Sequence, residues 1–284
     1  MSILEINDLN INIKDKTVIA NGNLCINPGD VILLTGSNGS GKSTIIKSIM
    51  GDLFDYGNSI KLFASKLDFE LNGNILDLRG DEKNREIFRR NVCYISQEDE
   101  FESNSVLECF LMSLNYLDID NPTAYVFDFA KRYSIYEGFG VDDHIDSKSK
   151  KIIKAAGIKR KDIKTEDVKA AKYLSMNTKK MSGGQKKLTN ILANIVKCAY
   201  CQLVLLDEPL NNLDYNNVRA FSNTLTRIHK AFPNIGILMV THCRSIPIVN
   251  KVIEIDPESK TLKTGGSYSC NSCFGKLDSN GMYI

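Results

Sequence analysis

From Leu9 to Lys14 apolar and polar residues alternate, with Leu9, Ile11 and Ile13 set against Asn10, Asn12 and Lys14, a period of two that predicts a half-buried antiparallel strand. A second strand is predicted over Leu24-Cys25-Ile26, closed by the turn Pro28-Gly29-Asp30. The pattern then changes. Val31-Ile32-Leu33-Leu34 is apolar without interruption, as in a strand buried on both faces, and Val92-Cys93-Tyr94-Ile95, Leu203-Val204-Leu205-Leu206 and Ile235–Thr241 repeat it. Helical spacing falls between them, at Ile45–Met50 stopping at Gly51, Asp81–Arg90, Val106–Leu111, Ser182–Ala199 and Tyr215–Phe232. Shorter strand pieces are read at Ser59–Phe63 and Asn74–Leu78, and a hairpin joins Val252–Ile255 to Thr261–Lys263 through Asp256-Pro257-Glu258. From Ser105 to about Lys180 the pieces are helical with few β-branched runs, which predicts a helical sub-domain; the tail after Gly265 has weak periodicity and receives no assignment.

Chemistry enters at the first of the continuous apolar runs. It leads into Gly36-Ser37-Asn38-Gly39-Ser40-Gly41-Lys42-Ser43-Thr44, the pattern G-x-x-x-x-G-K-[ST], and a helical stretch follows directly. Glycines let the backbone wrap closely on phosphate oxygens, and the unsatisfied amides of the helix's first turn point at negative charge. In such a loop Lys42 reaches the β- and γ-phosphates and the Ser43 hydroxyl ligates Mg²⁺, a hard cation that takes oxygen donors.

Composition adjusts the picture modestly. The 284 residues suit one large unit with a sub-domain, and a formal net charge of +2 commits the chain to neither nucleic acid nor membrane. Basic character is local: between Lys148 and Lys172 ten Lys and Arg face three acids, a pattern that fits a solvated helix face or a docking surface for an acidic partner, lipid headgroups or RNA. No apolar run approaches the ~20 residues of a membrane span, and Met1-Ser2-Ile3-Leu4-Glu5 has neither a cationic start nor a signal-peptide core, so a cytoplasmic protein is expected. The eight cysteines read as reduced thiols; the C-x-x-C pairs Cys198/Cys201 and Cys270/Cys273 leave metal binding open.

In order along the chain, the remaining motifs resemble the ATP-binding cassette (ABC) ATPase domain, over nearly the whole sequence. Met181-Ser182-Gly183-Gly184-Gln185 matches the family signature L-S-G-G-Q with one conservative change, and a serine and two glycines opening a helix form a second anion-binding N-terminus. Leu203–Asp207 followed by Glu208-Pro209 matches the Walker B strand, which implies Asp207 as a Mg²⁺ ligand and Glu208 as general base toward the attacking water. The resemblance further implies Gln97 as the Q-loop glutamine that reaches metal and water, Asp214 in the D-loop Asn211-Asn212-Leu213-Asp214, and His242 as the switch histidine at the γ-phosphate.

What the resemblance implies is an α/β fold: a P-loop NTPase core with a mostly parallel sheet over 1–97 and 181–264, an N-terminal antiparallel β subdomain, a Q-loop and helical subdomain over 98–180, and a tail over 265–284. The implied activity is hydrolysis of ATP to ADP and phosphate, with Mg²⁺, by two subunits closing head to tail, as homodimer or heterodimer. A separate transmembrane permease chain would carry the cargo and hold this chain at the cytosolic face, no nucleic acid being expected. A soluble ABC ATPase acting on ribosomes, nucleic acid or protein complexes is the alternative. The acids just after Gln97 (Glu98, Asp99, Glu100, Glu102) suit a basic docking helix of the permease. The sequence departs from the family in two places. No aromatic residue precedes Phe54 to stack on adenine, which leaves Ile11 or Ile13 as an apolar face, or as substitute rings the opposite subunit's Tyr173 or the tail's Tyr268 or Phe274; and Gln97 to Ser182 is long for the helical region.

Overall fold

A computed structural model describes residues 1–53, 59–96, 103–241, 246–265 and 276–283. These residues form two units, one of Met1–Gln97, Tyr200–Pro209 and Phe232–Asn271, the other of Glu98–Ala199, Leu210–Ala231 and Ser272–Ile284.

The first unit holds two sheets. The antiparallel sheet contains β1 (Leu4–Ile13), β2 (Lys16–Ile26), β4 (Ile60–Phe63), β5 (Lys66–Leu71) and β6 (Asn74–Asp77), ordered β2-β1-β5-β6 with β4 paired to β1. The alternation that predicts β1 extends further back than Leu9, and Leu4, Ile6, Leu9 and Ile11 all point into the core. β5, which the pattern reading passes over, carries the same signal in Leu67 and Phe69. The second sheet runs β11-β10-β3-β9-β8-β7: β3 (Val31–Thr35), β7 (Val92–Ile95), β8 (Leu203–Asp207), β9 (Gly236–Val240) and β10 (Lys251–Ile255) are parallel, and β11 (Leu262–Thr264) closes the edge antiparallel to β10. β8 and β9 are buried at every position, which is why their sequences are continuously apolar.

Helix α1 (Lys42–Met50) contributes Ile45, Ile46 and Ile49 to the core shared by both sheets, and ends where Gly51 adopts φ 82° and returns its amide to Lys47 and Ser48 carbonyls. Helix α2 (Glu82–Arg90) is capped by the Asp81 carboxylate and packs Phe88 edge-on to Phe69 at 4.8 Å. Because the strands of an open parallel sheet all point one way, their C-terminal ends gather the loops that bind ligands. The segments after β3 and β8 lie there, and β9 ends beside them at Val240.

The second unit is helical: α3 (Val106–Ser113), α4 (Pro122–Arg132), α5 (Ser147–Ala155), α6 (Thr165–Leu174), α7 (Gly183–Ile195) and α8 (Tyr215–Ala231). Its centre is aromatic, with Tyr173 fully buried between Phe110 and Phe139 at ring distances of 6.3 and 4.5 Å. The long stretch before the signature is thus accounted for by α4, α5 and α6, the last two carrying most of the basic run. The predicted helix from Ser182 gives way at Val196–Tyr200 to a tighter 3-10 turn. Asn223 on α8 binds the main chain of the tail, donating to the Tyr283 carbonyl at 3.0 Å and accepting its amide at 2.8 Å.

Candidate functional site

Two glycines of the loop after β3 stand where a side chain would be both strained and crowded. Gly41 sits at φ 105°, and a Cβ on it would lie 2.5 Å from Val18 Cγ1; a Cβ on Gly36 would lie 2.6 Å from Ser40 Oγ. Gly41 occupies the N-cap position of α1, where no side chain caps the helix and no acid stands in the first turn. The contrast with α2, capped by Asp81, and with α3, closed by a Ser105–Glu108 capping box, is physical: α1 leaves its first amides for an outside anion. The Ser40 hydroxyl is buried beside them with no hydrogen-bond partner among the described residues. Lys42, 7% exposed, turns back over the loop and donates from Nζ to the carbonyls of Gly36 and Ser37, both at 3.0 Å. Uncapped amides, an orphan hydroxyl and a buried ammonium together form a cradle for phosphate.

Beside this cradle stands the end of β8. Ser43 Oγ donates to Asp207 Oδ1 at 2.8 Å, joining residues 164 positions apart. Burial raises the Asp207 pKa above the ordinary carboxylate value, against the opposing pull of the Ser43 bond and of the Lys47 and Lys42 charges. A hydroxyl and a carboxylate held together are the hard oxygen donors that Mg²⁺ selects, so the residues present fit that ion. Glu208 follows, 7% exposed, with φ 49° and its amide donating to the Val240 carbonyl at 2.9 Å. A left-handed backbone is uncommon for a long side chain, and strain of this kind gathers at working sites.

The signature and D-loop residues both belong to the helical unit. Ser182 and Gln185 form a capping box at the start of α7, the Gln185 amide donating to Ser182 Oγ and the Ser182 amide to Gln185 Oε1, both at 3.2 Å. Met181 is buried, with the Thr189 hydroxyl 3.7 Å from its sulfur, so the change from leucine keeps an apolar anchor. Asp214 caps α8: it accepts the Asn217 amide at 2.9 Å and the Asn217 side-chain amide at 2.8 Å. A Cβ on Gly184 would lie 2.9 Å from Asn217 Nδ2, and Lys187 of α7 donates to the Asn211 carbonyl at 2.7 Å. The signature helix and the D-loop are therefore packed directly together. Asn217 and Lys187 escape sequence reading, because one asparagine and one lysine in helical runs carry no pattern.

A protein-family model described as "ABC transporter" matches residues 19–211. The chain belongs to that family. It is an ABC protein that binds and hydrolyses ATP. Curated relatives include the lipoprotein-releasing system ATP-binding protein LolD of Ehrlichia canis, 24% identical over 82% of this chain and 84% of its own. The ergothioneine transport ATP-binding protein EgtV of Helicobacter pylori is 25% identical, over 84% and 90%. The zinc uptake system ATP-binding protein ZurA of Listeria monocytogenes is 26% identical, over 84% and 76%. Among solved structures, cbiO1 from Clostridium perfringens, part of the ABC transporter complex cbiONQ, matches with a TM-score of 0.62 at 21% identity, covering 92% of this chain and 87% of that one. This likeness confirms the ABC ATPase fold.

Of the residues expected at the site of this ABC protein, Gln97 and His242 lie outside the described residues, as do the acids 98–100 and 102 and the pair Cys270/Cys273. Two expectations about adenine are overturned. Ile11 is fully buried on the core face of β1, and Tyr173 is fully buried in the helical core, so neither offers a face to a base. Ile13 stays half-buried, and Val18, against Gly41, supplies a second aliphatic surface beside the loop. No helix among the described residues is long and apolar enough to cross a membrane.

Proposed function

We propose that this chain is the ATP-hydrolysing subunit of a transporter whose membrane-spanning part is a separate polypeptide, closing head to tail with a second cassette when ATP is bound. The bond between Ser43 and Asp207 carries the reading, because it brings the phosphate loop against the strand end that presents Glu208. The α1 amides and Lys42 bind the phosphates, and Gly36 to Thr44 shape the cradle around them. Ser43, Asp207 and Gln97 would hold Mg²⁺, which would supply positive charge against the phosphates. Glu208 accepts the proton of the attacking water; Gln97 and His242 orient water and γ-phosphate. Ser182, Gly183, Gly184 and Gln185, with Asp214, face the nucleotide of the opposite subunit, where the α7 dipole adds a positive end although Ser182 Oγ already takes the Gln185 amide. One chain carries both halves of this arrangement, so two copies suffice for two sites. The relatives' names cover lipoproteins, ergothioneine and zinc, so the transport reading comes without a cargo.

Light scattering of the purified chain tests the closure. Mg-ATP should shift it from monomer toward dimer and ADP should return it, with membrane fractions rather than ribosomes retaining it in native lysates. A chain that stays monomeric with saturating ATP, alone and with candidate cassette partners, would contradict the proposal.

The base contact predicts weak purine selectivity. Stacking on a ring is worth ~1–3 kcal/mol in nucleic-acid sites, and Ile13 and Val18 offer only aliphatic surface. Equilibrium titrations with ATP and GTP should give dissociation constants within about tenfold of each other, or ~1.4 kcal/mol. A larger preference for ATP would mean that a ring outside the described residues, such as Tyr268 or Phe274, reads the base.

A further inference from the structure

The basic run is a physical feature of the helical unit that nucleotide chemistry does not use. From Asp146 to Lys161 seven cations stand against one acid, while the whole chain is only +2, so the rest of the molecule is net negative. Asp146 is spent inward: its carboxylate accepts the Ser149 amide and hydroxyl, both at 2.7 Å, which caps α5 and holds its pKa below the usual range. Helix α5 buries Ser149, Ile152 and Ile153 against α4 and α6 and leaves Lys148, Lys150, Lys151 and Lys154 exposed around the remaining surface. Lys159, Arg160 and Lys161 continue the exposed surface through the following 3-10 turn. None of these seven side chains forms an ion pair among the described residues. The nearby acids Asp142 and Asp167 are committed elsewhere, to Lys172 at 2.9 Å and Lys131 at 3.1 Å, which leaves Asp143, Asp162 and Glu166 as the exposed acids on either side.

Two compositional facts separate the polyanions that could cover such a face. Six of the seven cations are lysine, a compact hydrated point charge, whereas bidentate recognition of fixed phosphates favours arginine. No aromatic residue lies between Asp146 and Lys172, so there is no platform for stacking bases. Diffuse, lysine-dominated charge suits a fluid array of headgroups that rearranges beneath it, where each cation adds attraction that fades within a Debye length. We infer that the α5 face, with the turn at 159–161, is an electrostatic docking surface for anionic phospholipid headgroups. The choice of a membrane rests in part on the transport reading, in which the ATPase works close to a bilayer; the face would hold the subunit there independently of its permease.

Co-sedimentation of the isolated full-length chain with lipid vesicles tests the idea separately from the transport reading, since no permease is present. Binding is expected to phosphatidylcholine vesicles doped with phosphatidylglycerol, not to pure phosphatidylcholine, and to weaken as salt rises. The variant K148Q/K150Q/K151Q/K154Q should lose at least about tenfold in vesicle affinity, four headgroup-scale attractions being removed. Its basal ATPase activity should match the parent, which also reports correct folding; a K148R/K150R/K151R/K154R variant should retain vesicle binding. Equal binding to neutral vesicles, unchanged binding of the glutamine variant, or tighter binding to duplex RNA than to anionic vesicles at the same salt would each overturn the assignment. Failure of ATP-driven dimerisation with vesicle binding intact would strike the transport reading alone.

Discussion

Replacing Glu208 with glutamine is expected to lower ATPase turnover by about 10²–10⁴-fold, the range general bases contribute, while ATP affinity stays close to that of the parent. The side chain is nearly isosteric, and the hydrogen bond from the Glu208 amide to the Val240 carbonyl and the φ of 49° do not depend on the carboxylate. Glutamine can still hydrogen-bond a water but cannot take its proton. Ground-state binding and chemistry should therefore separate, with kcat falling and the nucleotide dissociation constant holding. Phosphate release under saturating Mg-ATP and equilibrium titration of the same protein measure the two quantities. A turnover within about threefold of the parent would assign the base elsewhere.

Replacing Lys42 with alanine should act on the opposite quantity. The ammonium is buried and bonded to two carbonyls of its own loop, so it already organises the cradle before any phosphate arrives. Charge-assisted hydrogen bonds contribute about 1.5–3 kcal/mol each, and losing those to two phosphate groups should weaken ATP binding by about 10²-fold or more. Arginine should not rescue it, because a planar fork does not fit a seat built for a point charge between the Gly36 and Ser37 carbonyls. Isothermal titration with Mg-ATP decides the matter. Thermal unfolding of the nucleotide-free proteins controls for folding; a small change in Tm is expected, since removing a buried ammonium offsets the two lost bonds.

Where burial dictates composition, the fold was legible. The strands β3, β7, β8 and β9 are buried at nearly every position and so are written almost wholly in apolar residues up to their ends, and the phosphate loop needs its glycines at fixed offsets. Long-range pairing was not legible. Nothing local in Ser43 announces Asp207, 164 positions away, and nothing in Glu208 announces a left-handed backbone or the hydrogen bond of its amide to the Val240 carbonyl. Tyr173 shows the limit from the other side: a tyrosine in a helix is equally readable as a surface ring or a core ring, and only packing against Phe110 and Phe139 resolves it. Val18 was hidden because its role depends on which glycine it abuts, Gly41, in a different segment of chain.

The gap between Gly184 and Asn217 is too narrow for one added carbon, and Asn217 is pinned by two bonds to Asp214. Mechanically, the first turn of α7 rests directly on the side chain that closes the first turn of α8. A displacement imposed on the first turn of α7 is therefore expected to press on Asn217 and, through its two bonds, on Asp214 at the first turn of α8. In the proposed closed dimer, a nucleotide met by one loop would thereby be felt at the other through a single side-chain contact.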